Sequence, residues 1–173
     1  MVRHCVNNAD SIVSALKELG VEFAFGLPGG EVSYLIDSCR RLGVRFMLTG
    51  HEASAAFMAD VTGQITDRPG LCIATLGPGA INLSLGVANA YLDRSPVFAI
   101  TAMGQSTLEE SFPHQRLPLG AIFGHFCKRS AVVKGDNTGD LVLELADSSL
   151  KAPRGPVHLG LPSDLANEEA RRS

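Results

Sequence analysis

The sequence predicts an α/β fold: three layers, α/β/α, around a mostly parallel sheet of about six strands. Three observations carry that expectation. Short runs such as "GLCIATL" and "PVFAITA" are apolar throughout rather than alternating, as strands buried on both faces are. Stretches with helical spacing separate these runs, so each strand is followed by a crossover of the length a parallel neighbour needs. Gly, Pro and Asp clusters punctuate the junctions.

The elements follow in order. Ala9 to Leu19 is amphipathic and ends at Gly20, a residue suited to a helix C-cap. "VEFAFGLP" is a short buried strand that breaks at Pro28-Gly29-Gly30. "EVSYLIDSCRRLG" places Val32, Leu35, Ile36, Cys39 and Leu42 on one helical face and closes at Gly43. "VRFMLTG" is the second strand, and a helix over His51–Thr66 comes next, its Ala53, Ala55, Ala56 and Ala59 small enough for close packing. Asp67-Arg68-Pro69-Gly70 turns the chain into the third strand, "GLCIATL". "GAINLSLGVANAYLD" is helical until Asp93-Arg94-Ser95-Pro96 breaks it ahead of "PVFAITA". The stretch "GQSTLEESFPHQRLPLG" reads as a long surface loop. "AIFGHFC" then leads to a strand "KRSAVVK", a helix near Thr138–Lys151 and a last strand "GPVHLGLP". Residues 1–165 are expected to form one domain, and the polar residues 166–173 a tail or the start of a linker.

Composition narrows the function. The 173 residues suffice for a real core, with 45% hydrophobic and 19% charged residues. A net charge of −3 gives no electrostatic case for nucleic acid or an anionic membrane. No apolar run reaches bilayer length, and "MVRHCVNNADSIV" lacks the apolar core of a signal peptide. A soluble, cytoplasmic protein is expected. Cys5, Cys39, Cys72 and Cys127 form no C-x-x-C pair, and His4, His51, His114, His125 and His158 form no H-x-x-x-H pair. Neither a disulfide framework nor a protein metal site is expected.

In an open parallel sheet, ligands bind at the carboxyl ends of the strands. "LPGGE", "TGHE" and "TLGPGAIN" fall at three such ends, each with glycines that let a backbone approach a ligand. There is no G-x-x-x-x-G-K-[ST], and "GPGAIN" has Asn82 where a dinucleotide fingerprint needs its third glycine. No G-x-S-x-G elbow occurs either. What remains is Glu52, a carboxylate at a strand-to-helix junction walled by Ala and Met. It is either a solvated first-turn residue that complements the helix dipole or a group placed to exchange a proton with a ligand's ring nitrogen.

Taken together and in order, "GVEFAFGLPGGE", the block "GHEASAAFMADVTGQITDRPGLCIATLGPGAINLSLGVANAYLDRSPVFAITA" and "GPVHLGLPSDL" resemble the pyrimidine-binding domain of thiamine diphosphate enzymes, nearest to the acetolactate synthase and 2-oxoacid decarboxylase branch. The resemblance implies the thiamine diphosphate-binding fold and that cofactor. It implies that Glu52, in the H-E position, hydrogen-bonds the aminopyrimidine ring nitrogen and so activates the cofactor for attack on a 2-oxoacid, with decarboxylation or carboligation following. It carries Pro28 and Gly29 to the turn beside the pyrimidine, and Thr75, Gly77, Gly79 and Asn82 to the walls of the cofactor pocket, although turn and cap roles also explain these residues. Gln115 matches a glutamine that faces substrate in the synthases, and His114 is either the match of a histidine of the decarboxylases or an exposed loop histidine. Gly50 stands where the synthases carry arginine, and "GDN" at 135–137 is the nearest approach to the family's magnesium-diphosphate motif. The resemblance therefore implies that magnesium and diphosphate are held by a second domain or subunit, with the cofactor between two chains in a homodimer or heteromer. It leaves flavin use open. A non-catalytic assembly or regulatory module of the same fold is the alternative, and an unrelated phosphate binder using the glycine loops is a third.

Overall fold

The computed structural model describes residues 6–106 and 115–171. Its elements run α1 (Asn8–Glu18), β1 (Phe23–Gly26), a 3-10 turn (Gly30–Val32), α2 (Ser33–Leu42), β2 (Arg45–Leu48), α3 (Glu52–Thr66), β3 (Gly70–Ala74), α4 (Pro78–Leu92), β4 (Val97–Met103), α5 (Leu119–Gly124), β5 (Arg129–Val132), α6 (Thr138–Leu150), β6 (Val157–Pro162) and a second 3-10 turn (Leu165–Asn167). The sheet has six strands in the order β2-β1-β3-β4-β6-β5, and every pairing is parallel. Helices cover both faces, so the expected three-layer α/β/α architecture is present. The ladders are shorter than the apolar runs that announce them, because the flanking residues, such as Leu27-Pro28 and Thr49-Gly50, already belong to the loops at the strand ends.

The strand order carries the functional consequence. From β1 the chain winds outward to β2, then crosses back to β3 on the other side of β1. The loops after β1 and β3 therefore diverge and leave a crevice at their carboxyl ends, the place where open α/β sheets take ligands.

One face of the sheet is covered by α1, α2 and α6. These helices bury Ile12, Val13, Leu16, Leu35, Val142 and Leu145 against Leu71, Ile73, Phe98 and Ile100. α1 is capped by the Asn7 side chain, which accepts from Asp10 N at 2.8 Å. Asp10 in turn accepts from Ser38 Oγ at 2.6 Å and pairs with Arg41, which joins α1 to α2. Burial opposes ionisation of Asp10, but the hydrogen bonds from Arg41 and Ser38 outweigh it and hold the carboxyl below its ordinary range.

The segment after Pro162 lies against this layer. Buried Asn8 donates to Leu165 O at 3.0 Å and Glu168 O at 3.2 Å, and Thr138 Oγ1 donates to Asn8 Oδ1 at 2.5 Å. Ala170 N donates to Val6 O at 3.0 Å. Backbone bonds, the amide side chains of Asn7 and Asn8, and the burial of Ala166 in the core fasten residues 165–171.

On the other face lie α3, α4 and α5, which bury Ala55, Ala56, Ala59, Ala80, Leu83, Val87, Leu119 and Phe123. α5 begins inside the stretch read as loop because Leu119 and Phe123 both seal this face. The Phe123 ring stacks on His158 of β6 with centroids 4.2 Å apart. Fully buried His158 shares hydrogen bonds with Thr101 Oγ1 and Ser130 Oγ, each at 2.8 Å, and burial pushes its imidazole down to about 3. Cys39, Cys72 and Cys127 are free and buried, and Cys5 lies outside the described residues. Among the described residues no helix is long and apolar enough to cross a membrane.

Candidate functional site

Glu52 is the first residue of α3, placed by a loop that is fixed at both ends. Thr49 Oγ1 shares its one proton between Gly26 O at 3.2 Å and His51 O at 3.1 Å, tying the end of β2 to the end of β1. His51 is the N-cap, its Nδ1 accepting from Ala53 N at 3.1 Å, so this histidine fixes the helix start. The next side chain then has to turn inward. Glu52 is only 6% exposed although it is charged and sits in a first helical turn. The solvated reading of Glu52 therefore fails, while the helix dipole still favours its charge.

The third loop supplies the opposite wall. α4 starts at Gly77-Pro78, with Pro78 in the first turn, where its missing N–H costs nothing. Gly77 has φ +60, a conformation that glycine adopts without strain. One turn into α4, Asn82 Nδ2 donates to Glu52 Oε2 at 3.1 Å. That is the carboxylate's one hydrogen bond among the described residues, so Oε1 is left open to a donor from a ligand.

Two close approaches shape the space around Oε1. A Cβ on Gly79 would lie 2.3 Å from Thr75 Oγ1 and 3.1 Å from Glu52 Oε1. A Cβ on Gly29 would lie 2.3 Å from Thr75 Cγ2. Any side chain at either position would fill the cradle between the first and third loops. Thr75 stands in the middle, touching both across the β1–β3 crevice. Pro28, just before Gly29, is exposed at its rim.

The structure thus brings Gly29, Glu52, Thr75, Gly79 and Asn82 together. Gln115 is next to them: a Cβ on Gly77 would be 2.7 Å from Gln115 Cβ and 2.9 Å from Gln115 O. Gln115 also borders a cavity of about 420 Å³ at the carboxyl ends of the strands, with Leu76, Met103 and Lys134 among its walls. Glu52 does not line that cavity. His114 lies outside the described residues. Among the described residues no group of three or more His, Cys, Asp or Glu is placed to hold a metal ion.

Sequence reasoning missed two polar residues on this side of the sheet. Asp60, two turns beyond Glu52 on α3, is 2% exposed and accepts from Asn89 of α4 at 2.9 Å. Its signal was available: an acid on the helical stripe that already carries Glu52. His158 was noted as a scattered histidine, yet an imidazole inside the apolar run "VHLGL" points to a buried, hydrogen-bonded ring.

Residues 6–120 match the family model described as thiamine pyrophosphate enzyme, N-terminal TPP binding domain. The catabolic acetolactate synthase of Raoultella terrigena is 31% identical over 99% of this chain, which covers 31% of that protein. The acetolactate synthase large subunit of Corynebacterium glutamicum is 35% identical over 95% of this chain and 26% of its own length. The 2-hydroxyacyl-CoA lyase 2 of Mus musculus is 32% identical, again over 95% of this chain and 26% of its own. The chain spans about a quarter to a third of the curated relatives it matches.

Proposed function

This chain belongs to the thiamine pyrophosphate enzymes as their N-terminal TPP-binding domain, and we propose that it holds and activates the pyrimidine end of thiamine diphosphate in an acetolactate synthase-like enzyme acting on 2-oxoacids. One observation carries the reading: Glu52 is buried at the β1–β3 crevice with Oε1 free of any described donor, beside glycines that keep the space open. A buried carboxylate without full hydrogen bonding is costly, so a site that retains one needs it for a ligand.

The residues present fit an aromatic ring with a polar edge. Glu52 would meet a ring nitrogen and hold or move its proton, and Asn82 would keep the carboxylate turned toward it. Thr75 and the bare Gly29 and Gly79 would let the flat ring lie against backbone, with Pro28 at the rim. Thiamine diphosphate, when bound, supplies the electron sink for decarboxylation or carboligation, and the protein supplies orientation and proton control. Gln115, beside the neighbouring cavity, is placed for the substrate side, and the same role is proposed for His114.

The diphosphate half needs cationic or N–H partners that these residues do not gather. We assign it, with its magnesium, to a second domain or subunit. The outer faces of α3 and α4 support such a partner: Val61 is 56% exposed, Ile65 77% and Leu85 63%. Exposed large apolar side chains gathered on two neighbouring helices suit an interaction surface. A second copy of the chain or the diphosphate-binding partner would cover it.

Glu52→Gln in the complete, cofactor-loaded assembly tests the reading. The amide still fills the space and can hydrogen-bond Asn82, but it cannot carry the proton. Turnover should fall by about 10²–10⁴-fold with the assembly intact. Unchanged turnover would remove Glu52 from the mechanism and favour a non-catalytic module.

A further inference from the structure

Two polar bonds and one close approach join α3 to α4 along a single seam. Glu52, Ala56 and Asp60 follow one another at four-residue intervals on α3, and Asn82, Gly86 and Asn89 form the facing stripe on α4. Asn82 bonds Glu52 at 3.1 Å at one end, and Asn89 bonds Asp60 at 2.9 Å at the other. Between them a Cβ on Gly86 would lie 2.6 Å from Ala56 Cβ and 2.9 Å from Phe57 N.

The rest of the seam is smooth. Ala53, Ala56, Gly86 and Ala90 present no large knobs, and helices lock by fitting ridges into grooves. A seam of small residues lets helices come close while leaving their axial offset poorly specified. A buried polar pair is a well-attested way to specify such a register. Asp60 has that form. It is 2% exposed, Gln64 donates to Oδ1 at 2.8 Å and Asn89 to Oδ2 at 2.9 Å, and no cation is among its described partners. As a stability device this is poor, since an apolar pair would avoid the desolvation cost.

We infer that Asp60 and Asn89 are positioning residues, whose part-buried hydrogen bond sets the register of α3 on α4 and thereby holds Glu52 Oε1 at the Thr75–Gly79 cradle. The inference rests on the proposed role of Glu52. A slip of one residue along the axis moves Glu52 by about 1.5 Å, enough to spoil a proton-transfer geometry. Asn82 holds only the Glu52 end of the seam, and the Asp60–Asn89 bond holds the other end two turns away, so together they fix the axial offset that either bond alone leaves free to pivot.

The experiment measures thiamine diphosphate affinity and melting temperature side by side in the complete assembly. Asp60→Leu and Asn89→Leu should each weaken cofactor binding by about tenfold while the melting temperature holds or rises. The double variant should be no weaker than either single, because the two residues act as one unit. Asp60→Asn, which keeps an acceptor for Asn89, should recover most of the affinity. Should Asp60→Leu fail to fold, the half-buried Asn89→Leu decides alone. Wild-type affinity in Asn89→Leu, or additive losses in the double variant, would overturn the inference. Glu52→Gln run in parallel separates the two layers of argument: if it leaves cofactor binding and turnover untouched, the reading of Glu52 has failed, whatever the seam variants show.

Discussion

On one face of the sheet, α1, α2 and α6 turn Ile12, Leu16, Leu35 and Leu145 inward and carry Lys17, Asp37, Arg40 and Glu144 outward. On the other, α3 and α4 turn Ala55, Ala56, Ala59, Ala80 and Gly86 inward and leave Phe57, Met58, Val61, Ile65, Ile81, Leu85 and Leu92 exposed. α4 has no charged residue, and both charges of α3, Glu52 and Asp60, are buried. The first layer exposes fewer large apolar residues, Tyr34 on α2 and Leu143 on α6. The first layer is finished against water. The second packs its helices closely on small residues and keeps its large apolar side chains exposed, the surface proposed above for a partner.

Matched truncations test this contrast most strongly. Leu145→Ala in α6 removes a fully buried side chain and should cost about 2–5 kcal/mol in chemical denaturation. Leu85→Ala in α4 should cost less than about 0.5 kcal/mol in the isolated chain, because nothing there buries it. Leu85→Lys should abolish association, read by sedimentation velocity, without changing that stability. Equal costs for the two alanine variants would mean that both layers obey the ordinary rule.

Acid separates the layers next. His158 lies under α5 with its pKa lowered to about 3 by burial, whereas the unfolded ring titrates near 6.5. The unfolded chain therefore takes up a proton that the folded one refuses. Stability is full above the unfolded value and falls by about 1.4 kcal/mol per pH unit as pH drops from there toward the folded value. Asp10, in the first layer, is also lowered, so its contribution is present above its unfolded value of 3.8 and fades only below that. Between these two unfolded values His158 contributes a slope that Asp10 does not. His158→Gln, which can still bond one of the hydroxyls, should flatten it in equilibrium unfolding followed across pH.

A smaller effect comes from glycine. Gly86→Val would set a branched side chain against Ala56 and the α3 backbone, and should cost about 1–3 kcal/mol with weaker cofactor binding. Gly139→Ala in α6, where a Cβ meets nothing within 4 Å, should be neutral or stabilising by up to about 1 kcal/mol.

How far each layer could be read in advance follows the same divide. The strands were legible because "GLCIATL" and "PVFAITA" are buried on both faces and show no alternation. α1 and α2 were legible because their apolar stripes match their buried faces. In α3 and α4 the apolar pattern has no single face, so close packing could be inferred from the alanines but not which apolar residues stay outside. The order β4-β6-β5 was hidden, since nothing in "KRSAVVK" says that it takes the edge. At the site, Glu52 stood out as a charge among alanines, and only the family resemblance gave it a partner ring. Asp60 could be noticed as a second acid on the Glu52 stripe, but its partner Asn89 could not, because the two meet only through the α3–α4 crossing.

The weakest difference lies in the surface charge itself. Arg40 pairs with Asp37 at 2.9 Å and Arg129 with Glu144 at 3.4 Å, all four side chains well exposed. Pairs of this kind contribute about 0–1 kcal/mol because water competes for both partners. Arg129→Ala should therefore shift stability by less than about 0.5 kcal/mol. Raising sodium chloride from about 0.1 M to 1 M shortens the screening length from about 10 Å to 3 Å and should erase even that shift. Association through α3 and α4 should survive the same salt, because no exposed charge on those helices takes part. If the assembly dissociates as salt rises, ionic contacts hold it together, and the apolar outer face of the second layer is not where the partner binds.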